Sequence, residues 1–430
     1  MTSWKSTIKR LVPVSLWRPL LNPFHYLESV AARIRYGFPA RSLKFIGVTG
    51  TNGKSTTVNL LGSILEAEGI KTGIYSTAVV KIGKTSQDND IDGGLTTSNP
   101  FVLHRILREM KRAGAEWIVL EVSSHALVQH RVSGIHFDAT LITNLTRDHL
   151  DYHHTMEEYA AAKGKLFAKK PRFMALNRDD DWYEFFDQFP AEHKISYGTH
   201  RESEARITGA KLSFKGTRLS LKLDNHDLDV SLQLPGQFNA YNATAAASLT
   251  YTMGFKLASI KNGLESFEQM PGRVQLIDEG QDFRVIIDHA HTEDALKQLF
   301  ENMRMLLKGR LITVIGCDGD RDPGKREPIG KLAAEYSELV IVTDLEPYTE
   351  DPVDIRATVL KGAKSIKEGV VVKENADRRK AIRQAFKFAK KGDVVLIPGL
   401  GNQHYRGMGE GKIEWDDRDI AREELQKLVK

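Results

Sequence analysis

The run Gly47-Val-Thr-Gly-Thr-Asn-Gly-Lys-Ser-Thr-Thr57 constrains this chain more than any other segment. Apolar residues from Leu43 to Val48 lead into a Gly-rich turn that ends in Lys54 and Ser55. Val58, Leu61 and Leu65 then recur at helical spacing. Strand, glycine turn and helix in that order make a phosphate cradle. Glycines let backbone N–H groups converge on phosphate oxygens, and the helix N-terminus adds partial positive charge. Gly50, Thr51, Asn52, Gly53 and Thr56 belong to the same turn; Lys54 is placed to reach the β/γ-phosphates and Ser55 to bind Mg²⁺. The general pattern puts its first Gly at position 48, which is Val here, so the match is to the variant Gly-x-x-Gly-x-x-Gly-Lys-Ser.

The chain has 430 residues, room for two or three domains, and its 41% hydrophobic and 27% charged residues are those of an ordinary globular protein. A net charge of +5, evenly spread, gives no footprint for nucleic acid. The single cysteine, Cys317, rules out an internal disulfide framework and fits a reducing, cytoplasmic setting. No apolar run approaches the ~20 residues needed to span a membrane. Residues 1–41 differ from the rest: seven Lys or Arg stand against one acid, Glu28, among Trp4, Leu11, Trp17, Leu20, Phe24 and Tyr26. Pro13, Pro19 and Pro23 are expected to break any long helix there. Two readings stay open for this arm: it rests on anionic lipid at the inner face of the membrane, or it packs against the body of the protein.

From residue 43 to about 200, strand-like runs such as Trp117–Glu121 and Thr140–Thr143 alternate with helical patterns. Pro100 suits a first helical position, and Thr155 with Glu158 makes a capping box. Such alternation implies a mostly parallel sheet covered by helices. Residues 206–234 switch to period 2 with polar turns, the signature of antiparallel strands. Helices are expected over 238–252 and 256–268. A second strand–helix series follows Pro271-Gly272, with strands at 285–288, 311–315, 339–342 and 394–397. The expected class is α/β: a phosphate-loop domain with a mostly parallel sheet plus an antiparallel section, then a Rossmann-like α/β domain. The expected bounds are 1–41 for the arm, 42–270 for the ATP-binding domain and 271–430 for the second domain.

Four further clusters carry chemistry. Glu121 ends an apolar strand, where open α/β sheets place their ligands, and a carboxylate there can hold Mg²⁺. Asn144-Leu-Thr-Arg-Asp-His-Leu-Asp-Tyr-His153 is followed by Lys163 within a helix, a residue whose spacing alone reads as a solvated lysine. Arg273 with Asp288-His-Ala-His-Thr292, and Gly316-Cys-Asp-Gly-Asp-Arg-Asp322 with Lys325-Arg326, are strand-end loops rich in phosphate and ribose partners.

Together GVTGTNGKSTT, EVSSHALVQHRV, TNLTRDHLDYH, YAAAKGKLF, PGQFNAYNA, PGRVQLID and GCDGDRDPGKR resemble the Mur ligases, and among them the UDP-N-acetylmuramoyl-tripeptide synthetase type. The resemblance runs from about residue 43 to the C-terminus. It implies that ATP converts a substrate carboxylate to an acyl phosphate, which the amine of an incoming amino acid attacks. By position it assigns Lys54 and Ser55 to the phosphates and magnesium, Glu121 to one Mg²⁺, and His149 to a second. Lys163 matches the lysine carbamylated in the family. Asn239 and Asn242 match the adenine-side asparagines, Arg273 and Asp288 the ATP contacts of the second domain. Thr96, Thr97, Ser123, Gln129 and Arg131 match the residues that hold a muramoyl-dipeptide. The implied partners are a small peptide precursor and an amino acid; the oligomeric state stays open.

The chain departs from the family pattern in three places. About forty residues precede the phosphate loop, too few for the family's uridine-binding domain. Where diaminopimelate-adding members carry Asp-Asn-Pro-Arg, this chain reads Asp344-Leu-Glu-Pro-Tyr348, so Tyr348 replaces the carboxylate-gripping Arg and Glu346 adds negative charge. Where the family reads Gly-Lys-Gly-His-Glu, this chain has Gly399-Leu-Gly-Asn-Gln403. The expected amino acid is therefore not meso-diaminopimelate; lysine, with Glu346 or Asp344 as ammonium partner, is the first alternative, with ornithine or a neutral residue open. Three other readings are a ligase or amidating enzyme acting on a lipid-linked or non-muramoyl acceptor, a folylpolyglutamate synthase, and a non-catalytic ATP-binding protein derived from a ligase.

Overall fold

The computed structural model describes residues 14–88, 95–366 and 368–429. Two sheets organise it. In the first, β1 (Lys44–Thr49), β2 (Thr72–Tyr75), β5 (Trp117–Glu121), β6 (Ala139–Ile142), β7 (Phe173–Asn177), β8 (His193–Gly198) and β9 (Ala205–Ser213) run parallel. Antiparallel strands extend both ends: β3 (Val79–Ile82) and β4 (Thr85–Asp88) beside β2, and β10 (Gly216–Leu223) and β11 (His226–Leu232) beside β9. The order is β11-β10-β9-β8-β7-β6-β1-β5-β2-β3-β4, so the period-2 section joins the same sheet rather than forming its own. β1 is buried from Phe45 onward because helices cover both faces of the sheet around it.

The second sheet has β13 (Arg284–Asp288), β14 (Leu311–Ile315), β15 (Leu339–Val342), β16 (Val371–Glu374) and β17 (Val394–Pro398) in parallel, with β12 (Gln275–Ile277) antiparallel at one edge. A small hairpin of β18 (Tyr405–Met408) and β19 (Gly411–Glu414) follows. The strands expected at 285–288, 311–315, 339–342 and 394–397 are present; β12 and β16 were not expected, being short and only partly buried. The chain crosses between sheets at Pro271-Gly272. Gly272 sits at φ +62°, and a Cβ there would lie 2.1 Å from the Asn402 nitrogen, so only glycine fits against the loop after β17.

One expectation fails. Val14–Arg35 is a single 22-residue helix despite Pro19 and Pro23. The two prolines lie four residues apart, so the missing N–H bonds fall on one side of the helix and the other side stays intact. Residues 1–13 of the arm lie outside the described residues. Among the described residues no helix is long and apolar enough to cross a membrane.

Candidate active site

The C-terminal ends of both parallel sheets open onto one cleft of about 1230 Å³. The first sheet contributes the loop after β1, Glu121 at the end of β5 and the segment after β6. The second contributes Asp288 to His291 after β13, Asp318 to Lys325 after β14, Glu346 and Tyr348 after β15, and Gly399 to Gln403 after β17. Ligands in open α/β sheets bind at such ends, and here two sets of ends face each other.

The loop after β1 is shaped by its glycines. Gly50 (φ +145°) and Gly53 (φ +81°) have no room for a side chain: a Cβ would lie 1.9 Å from Thr143 Oγ1 in the first case and 2.2 Å from Asn242 Oδ1 in the second. Asn144 Oδ1 accepts the Asn52 N–H at 2.9 Å, holding the turn open to the cleft. The helix Lys54–Ala67 then starts with its N-terminus toward the cleft. Lys54 donates to the Thr51 carbonyl at 2.7 Å, and burial lowers its pKa against the opposing pull of Glu121 and Asp148.

Ser55 donates to Glu121 Oε2 at 2.7 Å, and the same oxygen accepts the Thr77 N–H at 2.7 Å. A hydroxyl and a carboxylate side by side, both buried, are oxygen ligands of the kind Mg²⁺ takes. Arg273 projects into the cleft from just beyond the crossover; its Nε is buried and has no hydrogen-bond partner. Lys54, Arg273 and the loop amides thus form a cationic surface that suits a polyphosphate, so the residues fit ATP and magnesium. Asp288 stands behind, accepting the Val274 N–H at 2.7 Å and the Ala290 N–H at 2.6 Å. Asn239 and Asn242 sit together on the helix Gln237–Thr252, Asn242 donating to Asn239 Oδ1 at 3.1 Å.

His149 (φ +54°) is open to the cleft, with its ring 4.8 Å from that of His125 and its Nε2 3.3 Å from Asp148. Desolvation by the cleft walls outweighs Asp148 and lowers it to about 4, so its imidazole is neutral and can offer a lone pair. Lys163 is not the solvated lysine its spacing suggests. It is 1% exposed, donates to the Gly50 carbonyl at 2.7 Å, and lies 4.5 Å from the Tyr159 ring centroid. Burial, then Lys54, hold its pKa well below the usual lysine range.

Thr96, Ser123 and Arg131 also line the cleft. Arg131 donates to the Thr97 carbonyl at 2.6 Å and to Gln129 Oε1 at 2.6 and 3.1 Å. Thr97 and Gln129 lie behind the wall: Thr97 is fully buried, its hydroxyl donating to the Glu121 carbonyl at 3.0 Å and accepting the Ser123 N–H at 3.1 Å.

On the side of the second sheet Glu346 is 4% exposed and accepts the Gly407 N–H at 2.8 Å and the Gln403 amide at 3.3 Å. The Tyr348 ring packs where a Cβ on Gly407 would come within 2.3 Å of it. Asp344 is not beside them. Its carboxylate is taken by Arg356, which also donates to Glu374 at 2.8 Å, so the expectation that Asp344 could meet a ligand ammonium fails. Arg406 is equally unavailable, its guanidinium donating to the Leu345 and Asp344 carbonyls at 2.7 and 2.9 Å.

Sequence reasoning gave no individual role to several cleft residues, among them His125, Asp148 and Asp294. Asp148 carried a signal, its place beside His149. Asp294 carried none, since an acid in the first turn of a helix reads as dipole compensation.

Residues 48–250 match the Mur ligase middle domain, and residues 272–401 match the Mur ligase, glutamate ligase domain. The UDP-N-acetylmuramoyl-L-alanyl-D-glutamate--2,6-diaminopimelate ligase of Geobacillus kaustophilus is 39% identical over 403 residues, 92% of this chain and 81% of that one. The chain belongs to the Mur ligase family. It is an ATP-dependent, amide-bond-forming enzyme of a family that uses Mg²⁺. The Syntrophomonas wolfei enzyme of the same name is 38% identical over 402 residues, 92% of this chain and 81% of the relative. A solved structure of a UDP-N-acetylmuramoyl-L-alanyl-D-glutamate--2,6-diaminopimelate ligase superposes with TM-score 0.64 at 28% identity, covering 96% of this Mur ligase and 83% of that chain. Folylpolyglutamate synthase from Mycobacterium tuberculosis, at 18% identity and TM-score 0.72 over 87% of this chain and 92% of its own, shares the fold.

Proposed function

We propose that this Mur ligase adds an amino acid other than meso-diaminopimelate, lysine in the first instance, to a muramoyl-dipeptide-like precursor of peptidoglycan in the cytoplasm. The reading rests on the pocket around Glu346. A buried carboxylate flanked by Gln403 and Tyr348 offers acceptors for an ammonium group. The Arg406 guanidinium is committed to backbone carbonyls and so is not available to a second carboxylate.

Within this reading Arg131 and Ser123 hold the acceptor peptide, with Thr96, Thr97 and Gln129 shaping its end of the cleft. Lys54, Arg273 and the amides of Thr51 to Thr56 bind the ATP phosphates, and Asn239, Asn242 and Asp288 bound the nucleoside side. Bringing the acceptor carboxylate to the γ-phosphate opposes two anions, and Lys54 and Arg273 offset that repulsion. Magnesium, when bound at Ser55 and Glu121 and at His149, adds further screening of the same charges. Burial lowers the Lys163 pKa and so favours the unprotonated amine that reacts with CO₂; a carbamate there would turn a cation into an oxygen ligand.

The test is phosphate release from ATP with UDP-MurNAc-L-Ala-D-Glu and a panel of amino acids, with products identified by mass. Lysine-dependent turnover and a tripeptide product are expected. Faster turnover with meso-diaminopimelate than with lysine would sink the reading.

A further inference from the structure

The helix Val14–Arg35 meets the body of the protein through one face. Ser29 and Ala32 are fully buried, Ser29 donating to the Ser133 carbonyl at 3.3 Å, and the Tyr26 ring sits edge-on to His130 at 5.8 Å. The opposite side carries Leu27 and Ile34, 62% and 63% exposed, with exposed Ala31 between them and Phe24 one turn earlier. Steps of three and four residues set these on one line. The sequence continues the same spacing upstream with Leu20 and Trp17. One exposed leucine needs no explanation; a line of apolar residues along one helix does.

A second feature lies where this helix ends. Arg33, Phe38, Ala40, Arg41, His104 and Gly134 line a pocket of about 90 Å³. His104 is fully buried and neither ring nitrogen has a hydrogen-bond partner. A Cβ on Gly134 would lie 2.4 Å from the Arg33 guanidinium, so the glycine is what lets Arg33 lie there. An imidazole without a hydrogen-bond partner, in a pocket that Arg33 and Arg41 also line, suits a phosphate-sized anion. The whole segment 1–41 is cationic, with seven Lys or Arg against Glu28 alone. Like charge opposes pairing of this helix with a second copy and favours an anionic surface.

We propose that this helix docks the protein on an anionic membrane surface. The apolar line of Leu27, Ala31 and Ile34 enters the interface, and the Arg33–Arg41–His104 pocket takes a lipid phosphate. Apolar area and positive charge on one surface helix are the two attractions that hold a protein at such an interface. Docking does not rest on the choice of amino acid or acceptor, and its test needs no substrate.

The full chain is mixed with vesicles of phosphatidylcholine alone or of phosphatidylcholine with phosphatidylglycerol, and the bound fraction is read by co-sedimentation. Binding to the anionic vesicles only, weakening as NaCl is raised, is expected. Leu27→Glu/Ile34→Glu is expected to lower the partition by at least about tenfold while keeping the wild-type Tm. Arg41→Gln is expected to lower it by about fivefold. Equal binding to both vesicles, or binding to neither, overturns the proposal. So does a solution dimer that Leu27→Glu/Ile34→Glu splits while vesicle binding is unchanged. Displacement by inorganic phosphate beyond that of NaCl at equal ionic strength, with Leu27→Glu/Ile34→Glu still bound, makes the pocket a free-phosphate site and also overturns it.

Discussion

Asn52 of the phosphate loop donates its side-chain amide to Asp294 at 2.8 Å, across the cleft between the two sheets. The same carboxylate oxygen accepts the Thr146 hydroxyl and the Gln298 amide, both at 3.1 Å. Asp294 lies in the first turn of the helix Glu293–Leu306, so this contact ties the nucleotide loop of one sheet to a helix of the other. Hydrogen bonds to a charged group contribute about 1.5–3 kcal/mol. Asp294→Ala is therefore expected to raise the KM for ATP by about tenfold, and Asn52→Ala by a similar factor. Steady-state kinetics of both single variants and the double variant decide the point: a double variant no worse than Asp294→Ala alone is expected, because Asn52→Ala removes a bond that Asp294→Ala has already removed.

Glu346 gives a pH-dependent specificity. Burial raises its pKa, opposed by the Gly407 N–H. Only the ionised carboxylate attracts an ammonium, so the KM for lysine is expected to rise as pH falls through that raised pKa and to level off above it. Glu346→Gln should raise the KM by about a hundredfold, the effect of losing a charge-assisted pair, and should abolish the pH dependence. A wild-type KM that is flat across the acid range would count against Glu346 as the ammonium partner.

Lys163 gives a dependence on dissolved CO₂. Enzyme prepared in CO₂-depleted buffer is expected to lose most of its turnover and to regain it on adding bicarbonate. Lys163→Ala should lose about 10²-fold or more in kcat without regaining it under bicarbonate. Because burial lowers the amine's pKa, the recovery is expected to extend to lower pH than an exposed lysine would allow. Carbon-13 NMR of the enzyme with labelled bicarbonate reads the carbamate directly.

Arg378 and Asp417 are both fully buried and joined by two bonds, Nε to Oδ1 at 2.9 Å and Nη2 to Oδ2 at 2.5 Å. Trp415 Nε1 also donates to Asp417 at 2.8 Å. Removing one partner strands the other charge in the interior, so Asp417→Ala is expected to cost about 3–5 kcal/mol of stability, measured by denaturant unfolding. Arg379→Ala, at the surface, should cost under about 1 kcal/mol.

Much of the site was legible because its signals are local. An apolar run ending in glycines announces a strand and its loop, and Glu121 at a strand end needs only the rule that ligands collect there. What escaped depends on three-dimensional neighbours. Lys163 looks solvated in a helix and is instead enclosed beneath the Gly50 carbonyl. Asp344 and Glu346 are equivalent as carboxylates, yet they stand two residues apart on a bent loop segment, where one turns to Arg356 and the other to the cleft. Asp294 is invisible without the fold, because its partner lies 242 positions away. The helix Val14–Arg35 was masked by its prolines, whose effect depends on how the rest of the turn is held.

The fit of Gly272 against the loop after β17 has a mechanical consequence. The next residue is Arg273, whose guanidinium faces the cleft. The crossover between the two sheets and a cationic group of the cleft are thus adjacent links of one chain. An anion held by Arg273 is held at the residue where the chain passes from one sheet to the other.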